Sequence, residues 1–179
     1  MTTQKKYELL QNDTINHNGR TLYRIKAITT FGTVFAGTLG GYIEKESNLK
    51  HLGNAWVYDN AKVYDSAEVY GNAEVWGSAE VYGNAKVYDS AEVWGSAKVR
   101  SFAVLSERKM IFWASNVGTE NGTLTVYNGK DGLLVTRGCF TGTVEEFLAK
   151  SDEVHDEKTK REYQLLIEVA KSRILGEAT

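Results

Sequence analysis

Reactive side chains are scarce in this 179-residue chain: three histidines, His17, His51 and His155, and one cysteine, Cys139. A histidine serves as a general base where its ring can reach the proton to be removed. His51 is the candidate here, because it sits nearest the regular part of the sequence; the competing reading is an ordinary histidine at a surface corner. Cys139, in Arg137-Gly138-Cys139-Phe140, would be a nucleophile if a base stood beside it. As a small apolar side chain it is instead expected to be buried between a hairpin and a helix. Dispersed histidines and a single thiol do not make a zinc site or a disulfide framework. There is no phosphate loop, dinucleotide glycine fingerprint or Ser/His/Asp signature, and Gly40-Gly41 reads as a turn. No metal and no cofactor is expected, and the balance leans away from an enzyme.

Binding chemistry is better represented. Tyr58, Tyr64, Tyr70, Trp76, Tyr82, Tyr88 and Trp94 recur every six residues. Such rings can stack on one another or form a platform for a flat ligand such as a nucleobase. Arg20, Arg24 and Arg137 are the cations that would meet a phosphate. Over residues 1–53 seven basic side chains face four acidic ones, which fits a solvated charged face or a small anion pocket. With 21 basic and 23 acidic residues in the whole chain, the net basic field of a general nucleic-acid binder is missing. No apolar run is long enough for a membrane helix, and MTTQKKYELL is no secretory signal, so a cytoplasmic protein is expected.

What positions the aromatics is a repeat. Residues 54–101 are eight hexads without a slip, NAWVYD, NAKVYD, SAEVYG, NAEVWG, SAEVYG, NAKVYD, SAEVWG and SAKVRS. No helical period keeps one residue type on one face at a spacing of six. A short strand with a tight corner does, since Val favours pleated strands and Asn, Ser, Asp and Gly favour turns. The reading is a β-solenoid. With three hexads per coil, residues eighteen apart stack: Lys62 on Glu80 on Lys98, and Glu68 on Lys86, against one like pair, Glu74 and Glu92. A twelve-residue coil matches charges less well, and the eighteen-residue register also places each Asp corner against a Gly corner. Three external ladders follow: Tyr58/Trp76/Trp94, Tyr64/Tyr82 and Tyr70/Tyr88. They would shield the core, form a subunit seam, or take a ligand.

Val57 through Val99 at six-residue spacing, each followed four residues later by Ala61 through Ala103, resemble the left-handed parallel β-helix of hexapeptide-repeat proteins. The aromatic after each Val from Val57 to Val93 departs from that family's usual small or polar residue. The resemblance implies left-handed coils and common trimers. It also implies an acyltransferase alternative with a histidine base beside a coenzyme A channel, yet the clean hexads hold neither a histidine nor an inserted loop. Fewer than three clean coils would leave open ends with unpaired strand edges, a further motive for assembly.

The flanks read as caps, giving a mainly β chain: 1–38 an N-terminal β cap, 39–107 the β-helix, and 108–179 a C-terminal α+β cap of a hairpin plus two helices. Leu39, Ile43, Leu49 and Leu52 keep near the register of one irregular coil, a turn is expected at Asn18-Gly19, and Lys109 at an inward position ends the array. Downstream, MIFWASNV is a candidate strand, and TLTVYN and LLVTR flank a turn at Gly129–Gly132. Thr143-Val-Glu-Glu146 is a capping box. A helix near 157–174 carries Tyr163, Leu166, Ile167, Ala170 and Ile174 on one stripe. RTLYRIKAI…GGYIEKESNL and KDG…VTRGCFTGTVEEF resemble uncharacterised phage and prophage proteins of Gram-positive bacteria. That resemblance brings no established activity. It implies expression in an infected host, and with the aromatic ladders and the missing catalytic groups it leads to the expectation of a binding protein that sequesters a host factor or a nucleotide-like molecule, for instance to blunt a defence. A structural virion or scaffold component is the remaining alternative.

Overall fold

The computed structural model describes residues 2–176. Strands β1 (Tyr7–His17) and β2 (Arg20–Ala27) form a hairpin, turning at Asn18-Gly19 with φ of 52° and 79°. Positive φ at both central residues is what a two-residue hairpin turn demands. The solenoid then begins. Its first coil is β3 (Leu39–Ile43), β4 (Leu49–Gly53) and β5 (Trp56–Val57). The second is β6 (Lys62–Val63), β7 (Glu68–Gly71) and β8 (Glu74–Val75). The third is β9 (Glu80–Val81), β10 (Lys86–Val87) and β11 (Glu92–Val93). β12 (Lys98–Val99) and β13 (Val104–Leu105) start a fourth.

Stacking gives three parallel walls, β3-β6-β9-β12, β4-β7-β10-β13 and β5-β8-β11. Within the hexads the register follows the eighteen-residue coil: Lys62 opposes Glu80, Glu80 opposes Lys98, Glu68 opposes Lys86, and Glu74 opposes Glu92. The irregular first coil is two residues longer, Ile43 opposing Val63 and Leu49 opposing Val69. Every hexad Val and Ala points inward and is buried, forming one continuous core that runs into both caps. At the sixth hexad position φ is positive in all eight repeats: Asp59, Asp65, Gly71, Gly77, Gly83, Asp89, Gly95 and Ser101. Asp tolerates this left-handed corner better than most side chains. It also does something Gly cannot, because Asp59 Oδ2 accepts the Gly77 N–H at 3.3 Å and Asp65 Oδ2 the Gly83 N–H at 3.2 Å.

The ends are closed, which corrects the expectation of open strand edges. In each coil the ladder N–H groups donate to carbonyls eighteen or so residues later, as in Trp56 N–H to Ala73 O and Lys62 N–H to Ala79 O. The first coil is therefore left with free carbonyls and the last with free N–H groups. The caps supply the complementary chemistry. Lys6 Nζ donates to Gly53 O and Ala55 O, Tyr7 Oη to Leu49 O at 2.6 Å, and Arg24 to Gly40 O. Burial lowers the Lys6 amine to about 8. At the far end, Thr125 Oγ1 accepts the Lys98 N–H and Tyr127 Oη the Arg100 N–H. Met110 Sδ takes the Ser106 N–H.

That far cap is a four-stranded antiparallel sheet rather than one hairpin: β14 (Ile111–Val117), β15 (Gly122–Gly129), β16 (Gly132–Arg137) and β17 (Phe140–Thr143). Helix α1 (Val144–Val154) opens on the Thr143/Glu146 capping box, and α2 (Glu157–Leu175) buries Tyr163, Ile167, Ala170 and Ile174. Three expectations need correction. Leu39 and Leu52 are exposed, and only Ile43 and Leu49 fill the inward places of the irregular coil. Lys109 does not point inward; the array ends at an exposed 3₁₀ turn, Arg108–Met110. Cys139 is exposed rather than buried, because the β16–β17 turn that carries it, with Gly138 at φ 58°, projects from the sheet.

Candidate binding surface on the solenoid

A residue two places after Glu or Lys on a strand leaves the same wall, so the third and fifth hexad positions both face outward and meet. Tyr58, Trp76 and Trp94 stack in one column, with ring centroids 3.5 and 4.7 Å apart and planes within 4°. Their polar handles are held by the third-position acids. Trp76 Nε1 donates to Glu74 at 2.9 Å, Tyr58 Oη to the same carboxylate, and Trp94 Nε1 to Glu92 at 2.8 Å. Each like-charged glutamate thus accepts the indole N–H of its own coil. Arg108 neutralises Glu92 from the cap, and Trp113 of β14 comes down on Gly95, where a Cβ would stand 3.1 Å from the indole nitrogen. Trp94 remains exposed. Tyr70 and Tyr88 stack at 5.0 Å on another corner, half-buried.

The third ladder is not external. Tyr64 and Tyr82 stack at 4.9 Å, but the β1–β2 hairpin folds over them, and its Ile15 and Leu22, with Tyr42 of β3, pack in one cluster with Tyr64, which is buried. Tyr64 Oη donates to Glu80 Oε2 at 2.9 Å, and His17 Nε2 lies 3.2 Å from the same oxygen. Burial and this carboxylate push the Tyr64 phenol well above its ordinary range. Arg100 lies over Tyr82. This ladder glues the hairpin to the wall.

Arg20 and Arg24 are likewise engaged within the chain. Arg20 bonds Glu44 and Asp65. Arg24 bonds Asp13, Gly40 O and Tyr42 Oη, with its guanidinium over the Tyr42 ring. Arg137 stands apart, in the far cap. The structure therefore brings together Tyr58, Trp76 and Trp94, and brings none of the three arginines to them.

His51 is built into the near cap. Its ring stacks on Tyr7 at 4.3 Å, Nδ1 accepts the Lys6 N–H at 3.2 Å, and Nε2 is buried, 3.7 Å from Glu46. Neither nitrogen is open to a substrate. Burial is the largest influence on this imidazole and holds its pKa below the ordinary 6.5 despite Glu46. The unfolded chain then takes up a proton that the folded chain refuses. Stability accordingly rises with pH across that interval and is lost as pH falls below about 6.5. His51→Phe, which keeps the stack on Tyr7, should flatten the fall in urea midpoint between neutral and mildly acid pH; an unchanged slope would disprove the assignment.

No protein-family model matches the chain. Over 38 residues, 21% of the chain, it is 50% identical to the uncharacterized acetyltransferase YdcK of Escherichia coli (strain K12), and the match spans 12% of that protein. The match covers only a short part of either protein. What the structure establishes is the fold: the chain is a β-solenoid with about eighteen residues to a coil. No helix among the described residues is long and apolar enough to cross a membrane.

Proposed function

We propose that the protein is a non-catalytic binding module, and that the Tyr58–Trp76–Trp94 column with Glu74 and Glu92 is its contact surface. The supporting observation is the juxtaposition of stacked ring edges and two carboxylates beside an exposed terminal indole. Ring faces inside the column are spent on each other, so a flat ligand has only an end of the column to lie on. Glu92 is already paired with Arg108, but Glu74, which has no ion pair among the described residues, disfavours a phosphate and favours a cationic partner. A host-protein surface carrying Lys or Arg therefore fits better than a nucleotide. Assembly as a homotrimer in the cytosol, and a counter-defence role in an infected cell, complete the proposal. With both ends of the rod capped, subunits would meet along its walls.

Native mass spectrometry tests this directly. Protein isolated from cells is expected as a multiple of 19.9 kDa carrying a protein partner, with no mass gained from nucleotides. A bare monomer that captures nothing would sink the reading. The likeness to an acetyltransferase supports a second one, an acyltransferase, for which stoichiometric uptake of coenzyme A in the same experiment is the required result. Incorporation into purified particles without any ligand would instead mark a structural component.

A further inference from the structure

The far cap carries an open pocket of about 220 Å³, lined by the β14–β15 and β16–β17 turns, α1 and the start of α2. Its walls are apolar: Phe140, Phe147, Val154 and the Tyr163 ring. Its charged lining is Arg137, Lys150 and Glu120, with Lys150 paired to Glu153 along α1. The Arg137 guanidinium is placed with care. Nε lies 3.0 Å from Tyr163 Oη and donates to it, and Nη2 donates to Val117 O at 3.3 Å. The group lies flat over Gly122, where a Cβ would come within 2.6 Å of Nη1, and a Cβ on Gly118 would run into Tyr163 Oη. Side-chain exposure of Arg137 is only 12%, yet its one acidic neighbour, Glu120, stands 3.9 Å from Nη1 and is 83% exposed. A nearly buried cation that lines the cavity is thus left with a loose counter-ion beyond hydrogen-bond range.

We infer that this cavity is a binding site for a small organic carboxylate with an apolar body. The carboxylate displaces Glu120 and bonds Arg137 Nη1, with Lys150 at the rim, while the body rests on the rings of Phe140 and Phe147. A charge-assisted bond to this mostly buried guanidinium is stronger than the solvent-exposed pair it replaces. The volume lies below the ≈300–1,000 Å³ of drug-sized sites, so the occupant is small. This inference stands independently of the aromatic column.

Cys139 lines the same cavity and is the chain's only thiol, which makes it a reporter. Benzoate is the probe, and alkylation of the native protein is followed by mass. Relative to glutathione, Cys139 should prefer the anion iodoacetate over iodoacetamide by roughly fivefold, as a nearby, mostly buried cation requires. Saturating benzoate should slow both reagents. Arg137→Gln should abolish the preference. If that variant does not fold, Glu120→Gln on the exposed loop decides: removing the competing carboxylate should tighten benzoate protection severalfold. A glutathione-like reagent ratio, no protection by benzoate, protection by inorganic phosphate alone, or a Glu120→Gln variant identical to the parent would each overturn the assignment.

Discussion

Tyr127→Ala should lower unfolding stability by about 4 kcal/mol, the upper part of the range for losing a buried aromatic, with Tyr127→Phe costing about 1–2 kcal/mol. Tyr127 is fully buried, and its ring belongs to the solenoid core although its strand, β15, belongs to the cap. The hydroxyl accepts the Arg100 N–H and pairs with Thr136 Oγ1 at 2.7 Å. Removing the ring opens a void where the two cores meet; removing only the hydroxyl leaves one terminal ladder N–H without its acceptor. The gap between the two variants in urea unfolding separates packing from end-capping. Equal losses would mean that the hydroxyl carries the whole effect, and a Phe variant as stable as the parent would show that the last coil has no need of an acceptor. The effect of Lys6→Met at the other end should add to either within about 0.5 kcal/mol, because the sites share no partner.

The solenoid was legible because its constraints are local and repeat. One side-chain pattern encodes strand, corner and inward face together, so charge matching at Lys62, Glu80 and Lys98 was enough to select the eighteen-residue coil. The caps were less legible because their role is set by the polarity of a ladder they do not belong to. Lys6, Tyr7, Thr125 and Tyr127 look like ordinary strand residues until the direction of the N–H groups is known. One signal was present. Trp56 is the only apolar residue at the third hexad position, and it is fully buried, edge-on to Tyr7 and Phe31. That exception marks where the segment after β2 covers the first coil.

For the candidate surface, periodicity revealed the stacking partners but not their environment. Tyr64 and Tyr70 occupy identical places in the repeat, and only the hairpin decides that one is buried. Likewise Arg20 and Arg24 were visible as cations, whereas of the acids that bond them only Asp13 lies across the same hairpin, and Glu44 and Asp65 come from the solenoid. The Glu–Val–Trp spacing that ties each indole to its own carboxylate was in plain view, since two residues apart on a strand means the same side.

Trp76 and Trp94 should separate the structural from the binding role of the column. Trp76→Ala removes the middle ring, both stacks and the bond to Glu74, and should cost about 2–3 kcal/mol at 0.5–1.5 kcal/mol per aromatic pair plus lost area. Trp94→Ala removes one stack and an exposed ring, so its cost should be about 1 kcal/mol on the same basis. Binding should rank the other way. Trp94 ends the column and faces solvent, and a cationic partner seated on its ring would lose most of its anchor. Partner capture should therefore fall at least tenfold in Trp94→Ala, a protein that still melts close to the parent, and should fall again in Glu74→Gln. If Trp94→Ala binds like the parent while Trp76→Ala unfolds, the column is glue and the contact surface lies elsewhere. If Trp94→Ala changes the native mass instead, the ring faces a second copy of the chain, and the seam rather than a foreign partner is what the carboxylates are set to meet.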